Sequence, residues 1–270
     1  DGVGTMIVMQ AFGRALALEP YLATVVLGGG LIRHGGSAQQ KDTILPKIAD
    51  GTLRLAFAQA ERQSRYNLAD VKTTAKKAGA GWVLDGEKSL VLHGDSADKL
   101  IVVARTSGAQ RDENGLSLFL VDAQATGVSR RGYPTQDGQR AAEISFSQVA
   151  LPESAAVGDI DAAFPVIDRV VDEARAAVCA EAVGAMDAMH ALTVEYLKTR
   201  KQFGTTIGSF QALQHRAVDM FVALEQARSM AMLAAMTAQD DDPAARGKVI
   251  AAAKVQIGRS GKFVGQQAVQ

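Results

Sequence analysis

Lys198-Thr199-Arg200-Lys201-Gln202-Phe203-Gly204, followed by Gln211, is the stretch whose reading decides the fold. It closes a long helical pattern, crosses a short loop and opens another helix. Upstream, Val171, Ala174, Val178, Ala182, Ala185, Met189, Leu192 and Tyr196 recur in steps of three and four, which predicts one apolar helix face. A guanidinium and a phenyl ring at a helix end, with an amide one loop later, can grip a phosphate and a flat ring. On chemistry alone the same residues read more simply as a basic last turn that complements the helix dipole.

Texture divides the 270 residues into three parts. Residues 1–52 read as helical, with glycine breaks at Gly28-Gly29-Gly30 and Gly35-Gly36. Residues 53–158 hold short apolar runs bounded by Gly, Asp and Asn. They include Leu53–Ala58, Trp82-Val83-Leu84, Lys99–Ala104 and Leu116–Val121, which is strand-and-turn texture. Asp85-Gly86 is expected to turn a hairpin between Trp82–Leu84 and Lys88–Val91. Residues 159–270 return to helix. Leu213, Ala217, Met220, Leu224 and Ala227 mark a second helix face, and Ile250, Lys254, Ile257, Gly261, Val264 and Ala268 a third. Between them Asp242 is placed to cap a helix that starts at Pro243. The expected class is α+β: a partial N-terminal helical domain, a central antiparallel β-barrel domain and a partial C-terminal antiparallel helix bundle.

Formal net charge is zero, which argues against an electrostatic nucleic-acid or membrane footprint. The single cysteine, Cys179, excludes an internal disulfide and fits a reducing, cytoplasmic setting. Lying among alanines, it is expected to be a buried, inert thiol. No apolar run approaches the roughly 20 residues of a membrane helix. His34, His93, His190 and His215 are scattered, so no metal site is expected. No glycine fingerprint follows a strand, so a Rossmann nucleotide site is not expected either.

Five collinear segments carry a resemblance. Arg200-Lys201-Gln202-Phe203-Gly204 with Gln211 is the first. His34–Lys41 with Leu45-Pro46 and Gly51 is the second. Gly86-Glu87-Lys88, Ala97-Asp98 with Val102–Arg105, and Ile144–Phe146 with Val149–Pro152 and Gly158 complete the set. Together they resemble the acyl-CoA dehydrogenase family from about Ile32 to the end. The abrupt start at Asp1-Gly2 and the helical finish at Gln270 are read as a fragment of a longer chain.

The resemblance implies FAD as cofactor, an acyl-CoA substrate dehydrogenated at its α,β bond in fatty-acid β-oxidation, and an electron-transfer flavoprotein as acceptor. It implies that Arg200, Phe203, Gln211 and Gln270 hold the adenosine–pyrophosphate half of a neighbouring subunit's FAD. Gln59, Ala60 and Leu92 fall where the family carries the flavin platform. At that platform this chain departs from the pattern: Ala60 stands for a threonine, and Leu90 and Leu92 for an aromatic and a hydroxyl. Tyr66 replaces the serine of a glycine-rich loop that in the family touches the substrate or the pyrophosphate. Arg175 and its neighbour Asp172 are placed near the bound acyl-CoA. Asp172 and Arg175 also stand three apart, as a surface helix pair would.

The catalytic base stays unassigned. Ala174 occupies the place where some family members carry a glutamate, and Glu173 points about 100° away around the helix. The base is expected beyond residue 270 or to be absent. Ala58–Asn67 and Arg131–Gly138 carry a narrower likeness to small subunits of pimeloyl-CoA dehydrogenases. That likeness implies a dicarboxylyl substrate and a homo- or hetero-oligomer with a second acyl-CoA dehydrogenase subunit. An alternative is a non-catalytic subunit that completes the FAD site of its partner.

Overall fold

The structure, a computed structural model, describes residues 2–270 and divides into two compact units. One joins the N-terminal segment through Leu18 to Asp172–Gln270. The other is Glu19–Val171.

Helix α1 (Gly2–Ala15) belongs to the first unit. The second unit opens on a π-helical stretch, Leu22–Gly28, that runs directly into α2 (Gly29–Gly35). The expected break at Gly28-Gly29-Gly30 is therefore absent. Gly28 serves close approach instead: a Cβ there would lie 2.5 Å from the Leu55 Cβ. The break expected at Gly35-Gly36 is real, with Gly36 extended. Ser37 and Gln40 then form a reciprocal capping box that starts α3 (Ala38–Ala49).

Eight strands follow: β1 (Leu55–Ala58), β2 (Thr74–Ala78), β3 (Gly81–Leu92), β4 (Lys99–Arg105), β5 (Leu116–Asp122), β6 (Val128–Pro134), β7 (Arg140–Pro152) and β8 (Ala156–Val157). They form one sheet in the order β6-β7-β3-β2-β4-β5-β8, with β1 paired to β4 in parallel. Asp85-Gly86 is not a hairpin turn. It lies inside β3, at a register shift against β7 between Leu84 and Gly86. The turn falls earlier, at Gly79-Ala80, where Gly79 takes a φ of 57°. Strand β4 explains its own unbroken apolar run. Leu100, Val102 and Ala104 enter one core with Phe119, Ile144 and Val149, while Ile101 and Val103 enter another with Leu31, Ile32, Leu55 and Ile167. A strand covered on both faces needs no polar alternation.

Helix α4 (Phe164–Thr199) carries residues of both units. It is followed by the hairpin β9 (Lys201–Gln202) and β10 (Thr205–Thr206), then α5 (Gln211–Thr237) and α6 (Pro243–Val269). In the first unit Cys179, Val183 and Met186 of α4 share a core with Met220, Leu224 and Ala227 of α5 and Ile250, Ile257 and Val264 of α6. The apolar face expected on α4 is offset from this one, and its distal members Leu192 and Tyr196 are exposed. The helix is buried on more than one side, so its period does not single out a stripe. By length and composition α4 is long and apolar enough to cross a membrane, contrary to the reading of its runs. Asp242 caps α6 as expected, accepting from Ala244 and Ala245 N–H at 2.9 and 3.3 Å. Helix α1 crosses α4 closely: a Cβ on Gly184 would meet the Gln10 carbonyl at 2.0 Å, and Arg14 pairs with Asp187 at 2.8 Å.

Candidate functional site

The decisive stretch folds into a tight hairpin. Lys201 and Gln202 pair with Thr206 and Thr205, leaving Phe203 and Gly204 as a two-residue turn. Both central residues have positive φ, 54° and 80°, as a primed hairpin turn requires. Glycine adopts that region freely, whereas a bulky residue there is strained. Phe203 is also 91% exposed, touching Phe210 edge-on with ring centroids 6.1 Å apart. An apolar ring held in a strained conformation and pushed into solvent is a mark of contact with something else.

Arg200 follows directly on α4 beside this turn, exposed, with its backbone fixed by Tyr196 and Ile207. Gln211 begins α5, whose N-terminus has no side-chain cap. Exposed helix-start N–H groups and a guanidinium favour an anion. Gln270 is exposed, and its amide oxygen accepts from Arg216 at 2.7 Å. Arg175 donates to Asp172 at 2.9 Å, the three-apart pairing that the spacing allows. Asp172 is buried, and its second oxygen receives the buried Arg246 of α6 at 3.1 Å. Both carboxylate oxygens thus tie α4 together and to α6. Glu173 and Ala174 are buried in α4. Burial pushes the Cys179 thiol up to about 11, so it is inert at neutral pH.

In the second unit the two expected platform segments come together. The Ser89 N–H donates to Ala60 O at 2.9 Å, and Lys88 Nζ donates to Gln59 O at 3.1 Å. The Gln59 amide is bound to Leu68 O at 3.2 Å. Beneath them lies an ion pair missed from sequence: Lys88 Nζ to Glu61 Oε1, 2.7 Å, with side chains 0% and 4% exposed. Burial alone would raise the Glu61 carboxyl. The Lys88 charge, together with bonds from Lys88, Gln63 and the Lys72 N–H, outweighs it and holds the group below its ordinary value. Burial presses Lys88 down to about 8 against the pull of Glu61. The signal was present in sequence as a lysine at an inward position of β3.

Leu90 and Leu92 are not simple core. Leu90 is 56% exposed with φ 52°, at a bulge where the β3–β7 register shifts between Lys88 and Val91. Leu92 is half-buried opposite Ala141. Tyr66 is 96% exposed on a loop anchored by Ser64, whose hydroxyl binds both the N–H and the carbonyl of Glu61. Among the described residues no His/Cys/Asp/Glu group has the makings of a metal site.

Two family models match: the acyl-CoA dehydrogenase middle domain over residues 56–149 and the acyl-CoA dehydrogenase C-terminal domain over residues 164–270. Acyl-CoA dehydrogenase FadE12 of Mycobacterium tuberculosis is 31% identical over 264 residues, covering 97% of this chain and 68% of that protein. The probable acyl-CoA dehydrogenase YngJ of Bacillus subtilis is 29% identical over 248 residues, covering 90% and 65%. The chain thus spans about two thirds of the length of these relatives. Among solved structures, an FAD-dependent dehydrogenase superposes with TM-score 0.90 at 28% identity, covering 100% of this chain and 73% of that one. Glutaryl-coenzyme A dehydrogenase in its glutaryl-CoA complex gives TM-score 0.90 at 26% identity, covering 97% and 67%.

Proposed function

The chain belongs to the acyl-CoA dehydrogenase family, and from that premise we propose that it serves an FAD-dependent α,β-dehydrogenation of an acyl-CoA thioester, as a subunit of a homo- or hetero-oligomer. The Phe203 hairpin carries the proposal. A dinucleotide needs a cation for its phosphates and a flat apolar surface for its base, and Arg200 and Phe203 offer both beside the uncapped start of α5. Arg200 would pair with the pyrophosphate of a neighbouring subunit's FAD, Phe203 would pack on its adenosine side, and the Gln211 amide would hold a ribose or base edge. Gln59, Ala60 and Leu92 would back the ring of the FAD bound to their own chain, through strand backbone rather than through hydroxyls. When bound, FAD supplies the acceptor for the hydride that leaves the β-carbon. Arg175 and Tyr66 are proposed contacts for the CoA thioester, with electrons passing on to an electron-transfer flavoprotein.

A second reading follows from the same asymmetry. Hydroxyls are absent at Ala60, Leu90 and Leu92, while the exposed Arg200–Phe203–Gln211 clamp is present. A chain of that kind suits a hetero-oligomer in which it completes a partner's FAD site, and a dicarboxylyl thioester such as pimeloyl-CoA is the substrate that its narrower likeness favours.

The test is Arg200→Ala in the full-length protein, co-purified with its partner subunits. The side chain is solvent-exposed and makes little contribution to folding. Bound FAD should fall about tenfold or more, the loss of one charged hydrogen bond to phosphate. Unchanged flavin content with unchanged stability would reject the proposed clamp.

A further inference from the structure

Residues 59–61 lie beyond the β1 ladder, which ends at Ala58, and are fixed one group at a time. The Ala60 carbonyl accepts from the Ser89 N–H at 2.9 Å, and the Glu61 N–H donates to the Ser64 hydroxyl at 3.0 Å. That peptide is closed on both sides. The preceding peptide is closed on one. Its Gln59 carbonyl accepts from Lys88 Nζ at 3.1 Å, while among the described residues no protein group accepts from the Ala60 N–H. Ala60 is half-buried, and a backbone donor left over in such a place is uncommon. In a planar trans peptide the C=O and the N–H point in opposite directions. With its carbonyl drawn inward onto a fully buried ammonium, the Gln59–Ala60 peptide aims its N–H away from Lys88.

The ammonium has no freedom to swing. Glu61 Oε1 holds it at 2.7 Å, and that carboxylate is itself fixed by the Thr73 N–H at 3.1 Å, the Lys72 N–H at 2.8 Å and the Gln63 amide at 2.7 Å. A buried pair of this kind adds little net stability over apolar side chains of the same volume. What it adds here is a fixed direction for one peptide. We propose that Lys88 is a positioning residue for the cofactor: by pinning the Gln59 carbonyl it presents the Ala60 N–H as a backbone donor to the polar edge of the flavin ring. Ala60 has no hydroxyl, so this N–H is the donor that the residue can offer. The inference rests on the FAD reading above and adds Lys88 to it. Reduced flavin carries more negative charge than oxidised flavin, so such a donor favours the reduced form.

The experiment uses full-length protein with its partner subunits. It measures Ala60 amide exchange with and without FAD, the reduction potential of bound flavin, and the melting temperature. Lys88→Met/Glu61→Gln removes both charges together and leaves the Gln59 carbonyl without its donor. Glu61→Gln keeps the Lys88 donor and removes only the countercharge. In wild type, FAD should slow Ala60 exchange about tenfold, as one new hydrogen bond would. In the double variant FAD should give no such protection. Reduced flavin should there lose about tenfold in binding relative to oxidised flavin, a fall of about 30 mV for two electrons. Glu61→Gln should melt lower than the double variant yet keep wild-type protection and potential. Flavin-loaded wild type whose Ala60 amide exchanges as fast as without FAD overturns the proposal before any variant is made. Wild-type protection and potential in the double variant overturn it as well. So does a potential in Glu61→Gln shifted as far as in the double variant, because charge rather than peptide direction would then set it. Wild-type protein that takes up no flavin overturns the FAD reading first and this inference with it.

Discussion

Replacing Glu61 by alanine removes the countercharge of a fully buried ammonium. Lys88 would keep only the Gln59 carbonyl at 3.1 Å, and the Lys72 and Thr73 N–H groups would lose their acceptor. Deleting one member of a buried ion pair costs about 3–5 kcal/mol. At about 2–4 °C per kcal/mol for a unit of this size, the melting temperature should fall by roughly 6–20 °C. The pH dependence gives a second, signed readout. Lys88 titrates near 8 in the folded protein and at 10.5 ordinarily, so between those values the unfolded chain binds more protons and stability rises with pH. Glu61 is the group that raises Lys88, so in the variant the folded value drops below about 8. The variant therefore starts gaining stability at lower pH than wild type. Its deficit should narrow as pH climbs toward 8 and stay constant from there to 10.5. Urea denaturation at several pH values measures this directly. A deficit below about 1 kcal/mol, the range of an exposed pair, or one that widens with pH, would refute the burial argument.

Further outcomes follow from single contacts. Phe203→Asn replaces a strained residue with one that tolerates positive φ, so thermal stability should hold or rise by about 1 kcal/mol while flavin retention falls. A loss of both would make Phe203 structural. Gly184→Ala places a methyl 2.0 Å from the Gln10 carbonyl and should cost about 1–3 kcal/mol, read by thermal melting with faster amide exchange in α1. Asp242→Ala removes the α6 cap and should cost about 1 kcal/mol, which a urea midpoint will register.

Legibility in the sequence followed physical locality. Asp242-Pro243 could be read because a cap is a local event. The apolar runs of β1, β4 and β5 could be read because apolar density and bounding turn residues are local too. Asp85-Gly86 misled because the same dipeptide suits a primed turn and a bulge, and only the pairing of β3 with β7 selects the bulge. Gly28–Gly30 misled because Gly28 answers to Leu55, twenty-seven residues away, and not to a helix break. The Lys88–Glu61 pair was missed because only tertiary folding brings Glu61, in the loop after β1, to a lysine twenty-seven residues away. At the candidate site, Arg200, Phe203 and Gln211 were singled out by the family resemblance, since their spacing alone suits a basic last helix turn as well. The strain at Phe203 and Leu90 is a backbone property that residue identity does not encode.

Anaerobic titration of the flavin-loaded, full-length protein with an acyl-CoA is the most direct test of the account. The account predicts that the visible flavin band bleaches in step with added thioester, and that Arg200→Ala protein, stripped of flavin, shows no band to bleach. A band that stays at full height as acyl-CoA is added would contradict it.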